Sequence, residues 1–421
     1  MNRSVDLCDS HGAQARELGV RHRLLDCSTI LVRASTSGRV MRGTSIGTRL
    51  VEAVDAIGAV EWDGLVPAGE LFCSHAWLRH LDEVAGPHPV LTIGTGERIT
   101  GATAIWDGER APGLFYLPDF FPELAGPWQR PFVWLGARRS VRNGLICTTG
   151  PQRSASLSGL LAGTLDYARD NGRAGVVMPY LPISAAREFG RAHPAAHVLL
   201  HSAEATVAVP ARGTADLLTQ SSGHNRKRRR RELRDFTAAG FILEWVDLTP
   251  EIEAAIAPLI AANRRRYGNS DGASWIHRVF AAQRQVGLLD DAKVLLCSRD
   301  GAPVTVAVCY RHGDSLHGRY FGSDGSVSRD GYPYFVTTCY APIDYAARNG
   351  FRRLFLSTSA LEAKIRRGAV VEPLAAVVLL DDAELDVERV RTHNRDLARG
   401  YYDRFPGYLS SLSHDWLEFL F

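Results

Sequence analysis

Polar and apolar positions along this chain alternate in a recurring order. After an opening stretch without periodicity, LFCS at 71–74 leads into HAWLRHLDEVAG. There Ala76, Leu78 and Leu81 share one helical face, Ser74 stands at the N-cap and Gly86 at the stop. Strand-like runs follow at 89–94, 99–106 and 114–117, and FYLPDFFPELAGPW, aromatic and rich in Pro, reads as a long loop. Strands at 132–136 and 144–149 precede a helix at 155–171, a further strand, a short helix at 184–192 and a strand at 198–209. The second half predicts one helix from Thr214 to Ala239, a strand from Phe241, and helices from Pro250 to Tyr267 and over SWIHRVFAAQRQVG. Strands at 293–299 and 303–311 form a hairpin about Asp300-Gly301, followed by a strand at 315–322. A helix at 333–348, a strand at 352–358, a short helix at 360–367, a strand at 373–381 and a helix at 383–403 complete it, and the apolar WLEFLF fits a terminal strand or helix.

The two halves echo each other. LDYARDNG at 165–172 returns as IDYAARNG at 343–350, an offset of 178 residues from Asp166 to Asp344. Each copy closes a helix on Gly and is followed by an apolar strand, GVVMPYL or RLFLS, and each is preceded by a hairpin of apolar runs. Elements repeating in order imply two copies of one module. The expected fold class is therefore α+β, mixed α/β: two tandem modules, each a mixed, mostly antiparallel sheet flanked by helices. The expected domains are a poorly ordered extension at 1–45, a first module at 46–210 and a second at 211–421. Met41 is a candidate start, since recognisable structure begins soon after it. A parallel nucleotide-binding sheet is disfavoured, because no G-x-G-x-x-G follows an early strand and no P-loop is present.

Composition narrows the class. An apolar fraction of 45% supports ordinary cores, and a formal charge of +3 gives no global pull toward nucleic acid or membrane. Seven scattered Cys residues without a C-x-x-C pair argue against a disulfide framework and a zinc site, so no metal is expected. A reducing cytoplasm is the simple reading. No apolar run is long enough for a membrane span, and the N-terminus carries no apolar signal core.

Charge is unevenly placed: Arg226 to Arg231 are six consecutive basic residues. On a helix Arg226, Arg230 and Arg234 form one stripe, a site for phosphates of a nucleotide-linked substrate, CoA or tRNA. The alternative is a solvated helix face. Asp119, among aromatics, is a candidate base toward an acceptor ammonium or a loop residue making a local turn bond. Tyr320 and Tyr334 are candidate proton donors or core residues. His75 reads as a structural first-turn residue, and His317 lies on a strand whose facing the pattern leaves open. Asp166 and Asp344 read as a shared structural feature. No Ser-His-Asp or Cys-His set assembles by motif, which disfavours a covalent acyl-enzyme.

Four segments carry a family resemblance. HNRKRRRRELRDFTAAGF, the strand with RYFGSDG, CYAPIDYAARNGFRRLFL and SALEAKIRRG stand in the order seen in GNAT-fold N-acyltransferases of the FemAB-like and cellulose-biosynthesis-acetyltransferase-like group. LFCSHAWLRHLDEVAG resembles the start of the first GNAT half of that group. The resemblance spans about 350 residues. It implies tandem GNAT folds, an acceptor site in the cleft between them, and the Arg-rich helix beside that cleft. It also implies that Lys364 points into the active-site channel, with Arg367 beside it, where an ammonium stabilises a developing oxyanion. A surface Lys on a short amphipathic helix is the alternative. The chain departs from the family where a CoA-binding domain has R/Q-x-x-G-x-G/A: SRDGYPYF retains Arg329 but puts Pro333 and Tyr334 where small residues are expected. The long heptad hairpin of some cell-wall-peptide ligases is absent between 240 and 300.

The expected activity is transfer of an acyl or aminoacyl group to an amine by direct attack, with Lys364, Asp119 and Tyr320 as catalytic candidates. Arg226, Arg230, Arg234, Arg329, Tyr334 and Arg367 are the substrate-binding candidates. No permanently bound cofactor is expected. The co-substrate is an acyl-CoA or carrier-protein thioester, or an aminoacyl-tRNA, and the partner is an amine acceptor in cell-envelope or natural-product biosynthesis. The competing expectation is a catalytically inactive pair of modules that binds an exopolysaccharide precursor or nucleic acid.

Overall fold

The echo in sequence becomes a palindrome in space. The strands are β1 (Gly47–Val51), β2 (Val90–Thr95), β3 (Arg98–Asp107), β4 (Val133–Leu135), β5 (Ile146–Cys147), β6 (Gly175–Pro182) and β7 (His197–Ala208) in the first half. The second half supplies β8 (Ile242–Val246), β9 (Ala292–Arg299), β10 (Ala302–His312), β11 (Ser315–Ser323), β12 (Arg353–Phe355) and β13 (Val370–Leu380). In this computed structural model they form one sheet in the order β1-β2-β3-β4-β6-β13-β7-β12-β11-β10-β9-β8, with β5 beside β3. Read from either end the pairings match: antiparallel neighbours throughout, except for the parallel pairs β4–β6 and β11–β12. The structure describes residues 47–96, 98–108, 114–323, 325 and 331–421, all of which belong to one compact unit. The extension expected at 1–45 and Arg329 lie outside the described residues.

The halves exchange their last strands. β13 pairs with β6 of the first half, and β7 pairs with β12 of the second. The two exchanged strands pair with each other through the centre of the sheet, where Glu204 faces Glu372. The chain comes very close here: a Cβ on Gly175, which sits at φ +154°, would fall 2.2 Å from the Leu379 carbonyl oxygen. Helices cover both faces. Along β10, Val306, Val308 and Tyr310 enter the core shared with helices His75–Ala85, Pro250–Arg266 and Ala273–Gln285. Cys309, on the other face, joins the core of helices Arg153–Asp170 and Gly223–Ala238. That alternation is what a sheet covered on both faces requires.

Local differences from expectation have local causes. Ser74 caps its helix as expected, its Oγ accepting the Trp77 N–H at 3.3 Å. Residues 114–117 are not a strand; Pro118 sits in the first turn of a short helix, Leu117–Phe120, whose aromatic neighbours fill a separate core. The helix expected over 214–239 is two helices, Thr214–Gln220 and Gly223–Ala238, broken where the Ser221 hydroxyl turns back to the Leu217 carbonyl. The helix at 333–348 contains a π-helical stretch, Val336–Tyr340. The last long helix starts at Val387 because the Asp386 carboxylate accepts the Glu388 and Arg389 amides. The closing apolar segment forms 3-10 turns with Trp416 buried.

Candidate active site

Each half contains a fork where two parallel strands part. In the first, β4 and β6 pair only at Val133–Val176 and Trp134–Val177. Beyond Leu135 the chain turns at Gly136, at φ +89°, and a loop folds back between the arms. Asn143 stitches that loop in place. Its side-chain oxygen accepts the Ala137 amide at 2.9 Å, its Nδ2 donates to the Pro179 carbonyl at 2.8 Å, and its own amide donates to the Tyr180 carbonyl at 2.9 Å. Asn143 is fully buried, and a Cβ on Gly136 would lie 2.6 Å from its carboxamide oxygen. The first fork is filled by its own chain.

The same loop delivers Arg142 to the seam between the halves. Its guanidinium binds Glu70 with both forks, at 2.7 and 2.9 Å, and Glu204 at 2.9 Å. All three side chains are buried. Burial works against the Arg142 charge, but the two carboxylates hold it protonated, above the ordinary range. Glu204 takes the remaining imbalance: burial, helped by Glu70 and Glu372, pushes its carboxyl up to about 7 against the pull of Arg142.

The second fork stays open at its apex. β11 and β12 pair at Ser315–Arg353, Leu316–Leu354 and His317–Phe355 and then separate. The β12 arm bends to β7, with Leu356 donating to Ala205 at 2.8 Å and Ala205 to Ser357 at 3.1 Å. Ser357 is held at φ +69°, a region a non-Gly residue rarely occupies. Between the arms lies a small cavity walled by His317, Gly318, Arg319, Phe355 and Ser357 of the second half. Phe72, Val141 and Glu204 of the first half close it. About 10 Å³ is open to the centre of a water-sized sphere, room for one water.

Lys364 supports this fork from behind. It lies on the short helix Leu361–Ile365, and its buried ammonium donates to the Leu356 and Ser357 carbonyls, the second at 3.4 Å. Burial lowers its pKa to about 8. Lys364 therefore binds the backbone of the β12 arm at the place where Ser357 meets the cavity.

The Arg-rich helix turns an unexpected face inward. Arg229, Glu232 and Phe236 are its buried residues. The Arg229 Nε donates to the Arg366 carbonyl at 3.0 Å. Glu232 accepts from Arg367 at 2.6 Å and from the Tyr340 hydroxyl at 2.7 Å, so Arg367 locks the helix to the π-helical stretch. Arg226 donates to the Thr219 and Ser221 carbonyls at 3.3 and 2.9 Å, while Arg230 and Arg234 are exposed, Arg234 beside Asp235 at 3.1 Å. Glu232 and Phe236, four residues apart in this basic helix, were the sequence signal for the buried face.

The structure thus brings Lys364 to the second fork, ties Arg367 to Glu232 and leaves the other described candidates apart. Asp119 is exposed on Leu117–Phe120 in the aromatic core and does not line the fork cavity. Tyr320 continues β11, but its hydroxyl accepts from Gln283 at 3.4 Å. Tyr334 lies in the helical turn Pro333–Phe335, half-buried against Phe321 and Phe335, with its hydroxyl pKa raised by burial. Asp344 accepts the Thr214 amide at 2.6 Å, whereas Asp166 pairs with Arg169 at 3.1 Å, so the echoed acids hold different partners. Glu70, Arg142 and Glu204 escaped motif reasoning because they come from separate segments, and for His317 the pattern left the facing open; the polar residues inside apolar runs, SAEATVAV and SLHGRYF, were the available hint.

Residues 145–399 match the family model FemAB-like, described as peptidoglycan biosynthesis/recognition. Among solved structures the chain resembles FemX, at TM-score 0.55 and 12% identity over 79% of this chain and 98% of that one. A tandem GNAT protein of the clavulanic acid pathway aligns at TM-score 0.46 and 13% identity, over 80% of this chain and 98% of that one. The C-terminal domain of a lysylphosphatidylglycerol synthetase from Agrobacterium fabrum aligns at TM-score 0.45 and 10% identity, over 69% and 83%. No curated protein matches in sequence. Among the described residues no helix is long and apolar enough to cross a membrane. Acyl or aminoacyl transfer is the general chemistry this relationship supports. With well over half its length matched, this tandem GNAT-like chain belongs to the FemAB-like family.

Proposed function

We propose that the chain transfers an acyl or aminoacyl group from an activated carrier to an amine at the second fork, by direct attack of the amine on the carrier carbonyl. The observation that carries this reading is the difference between the forks: one is filled by Asn143 and its loop, while the other keeps a small cavity walled by both halves. A substrate entering there meets Glu204 and His317 on one side and the arm held by Lys364 on the other. The five described cysteines are all buried, and burial raises each of their pKa values, so the described thiols are poor nucleophiles. Positioning, exclusion of water and electrostatics then carry the rate.

The carrier is a CoA or carrier-protein thioester or an aminoacyl-tRNA. Exposed Arg230, Arg231 and Arg234 next to Lys227 supply a basic strip suited to either polyanion. Lys364 acts as a positioning residue, fixing the Leu356–Ser357 backbone from which the carbonyl is oriented. The acceptor is an amine of a cell-envelope precursor or natural product. Acetyl-CoA and a mixed aminoacyl-tRNA pool, each offered with hydroxylamine as a small surrogate acceptor, test the reading. Hydroxamate formation above the uncatalysed rate with one donor is expected. Binding of a donor without any turnover would favour the inactive scaffold.

A further inference from the structure

His317 is the one imidazole in the fork cavity, and neither ring nitrogen meets a partner at hydrogen-bonding geometry. It is 1% exposed. Gly69 is the backbone group that faces it, outside hydrogen-bonding geometry. The ring is not placed at random: it stacks on Phe355 with centroids 4.5 Å apart and planes 13° apart, and meets the edge of Phe72 at 5.7 Å. An apolar side chain would pack between two phenyl rings without the desolvation cost that each unmet polar group carries. A fully buried, rigidly held and unpartnered imidazole beside a one-water cavity therefore calls for a visitor that hydrogen-bonds.

We propose that His317 is the amine site of the transfer reaction: a ring nitrogen accepts a hydrogen bond from the attacking amine, takes its proton, and returns that proton to the leaving group. This rests on the acyl-transfer reading above. The balance is closed. The amine N–C bond forms as the carrier C–S or C–O bond breaks, and the proton lost by nitrogen passes through His317 to the departing sulfur or oxygen. The surroundings suit a relay rather than a proton sink. Burial, together with Arg142, His312 and Arg353 nearby, holds the ring well below the usual histidine range, so it is neutral at pH 7 and releases a proton readily. Glu204 and Arg319 complete the polar wall. A one-water space admits the nitrogen end of a primary amine, with Gly318 in its lining.

The test uses the full chain, ¹⁵N-labelled at histidine, with hydroxylamine as the probe amine and acetyl-CoA or mixed aminoacyl-tRNA as donors. The unprotonated ring nitrogen of His317, assigned by its loss in His317→Gln, is expected to shift saturably with hydroxylamine. His317→Gln keeps an acceptor atom but carries no proton, so kcat should fall about 100-fold with the hydroxylamine KM near wild type. His317→Phe, which keeps the stack, should lose both. A saturable shift without hydroxamate from either donor would sink the transferase reading and leave the amine site standing. Wild-type kcat in either variant, or a His317 resonance indifferent to hydroxylamine, would overturn the proposal.

Discussion

The two forks share one topology and differ in what fills them. In the first, a side chain of the local loop satisfies both arms; in the second, the arms are tied outward, to β7 and to Lys364, and the apex stays hollow. Duplication supplied two equivalent gaps in the sheet. One is filled by the loop that carries Arg142 to the seam, and the other keeps a small cavity. The lesson is that equivalent gaps between parallel strands need not be closed alike, and the closing residue can be as small as one Asn.

The largest effect expected from disturbing this contrast is at Lys364. Lys364→Met removes the donor to two carbonyls that orient the second fork, and should lower kcat by about 100- to 1000-fold while donor affinity changes less. Steady-state kinetics with the active donor decide this, and a rise in KM alone would mean that Lys364 serves binding only. Asn143→Ala, the matching change at the first fork, should do the reverse. It leaves the buried Pro179 carbonyl and Ala137 amide unpaired and should lower stability by about 2–3 kcal/mol in urea unfolding, with kcat per folded molecule little altered.

A smaller effect concerns pH. Glu204 is raised to about 7 in the folded chain by burial, above its ordinary value, so folding binds a proton there. Its contribution is fully present below the unfolded pKa, near 4.5, and is lost as pH rises through about 7. The stability of wild type relative to Glu204→Gln should therefore fall across that window, by on the order of 1–3 kcal/mol. A flat difference would show that Arg142 keeps Glu204 ionised throughout. The smallest effect is at the outer strip. Replacing Arg226, Arg230 and Arg234 by Gln should reduce the slope of log K against log salt by roughly one per lost phosphate contact. An unchanged slope would return the strip to solvent.

Much of the architecture was legible, and the reasons are specific. The LDYARDNG and IDYAARNG echo announced two modules, and the palindromic strand order bears it out. Strand exchange was not legible, because HVLLHSAEATVAV and VVEPLAAVVLL are apolar runs that fit beside either half. Lys364 stood out through a family motif. Glu70, Arg142, Glu204 and His317 did not, since their meeting depends on loop closure and on which face each strand presents. The spacing of the Arg stripe could not say which face of its helix packs, because period-four spacing is shared by every face of a basic helix; burial of Arg229 and Glu232 decides that.

Hydrogen–deuterium exchange across the whole chain, with and without the donor that supports hydroxamate formation, tests the contrast most directly. Reaction at the open fork predicts donor-dependent protection in 317–323, 333–340 and 356–368, with 133–145 and 177–182 unchanged. Protection confined to 133–145 and 177–182 would place the donor in the first fork and contradict the assignment of the second as the site of transfer.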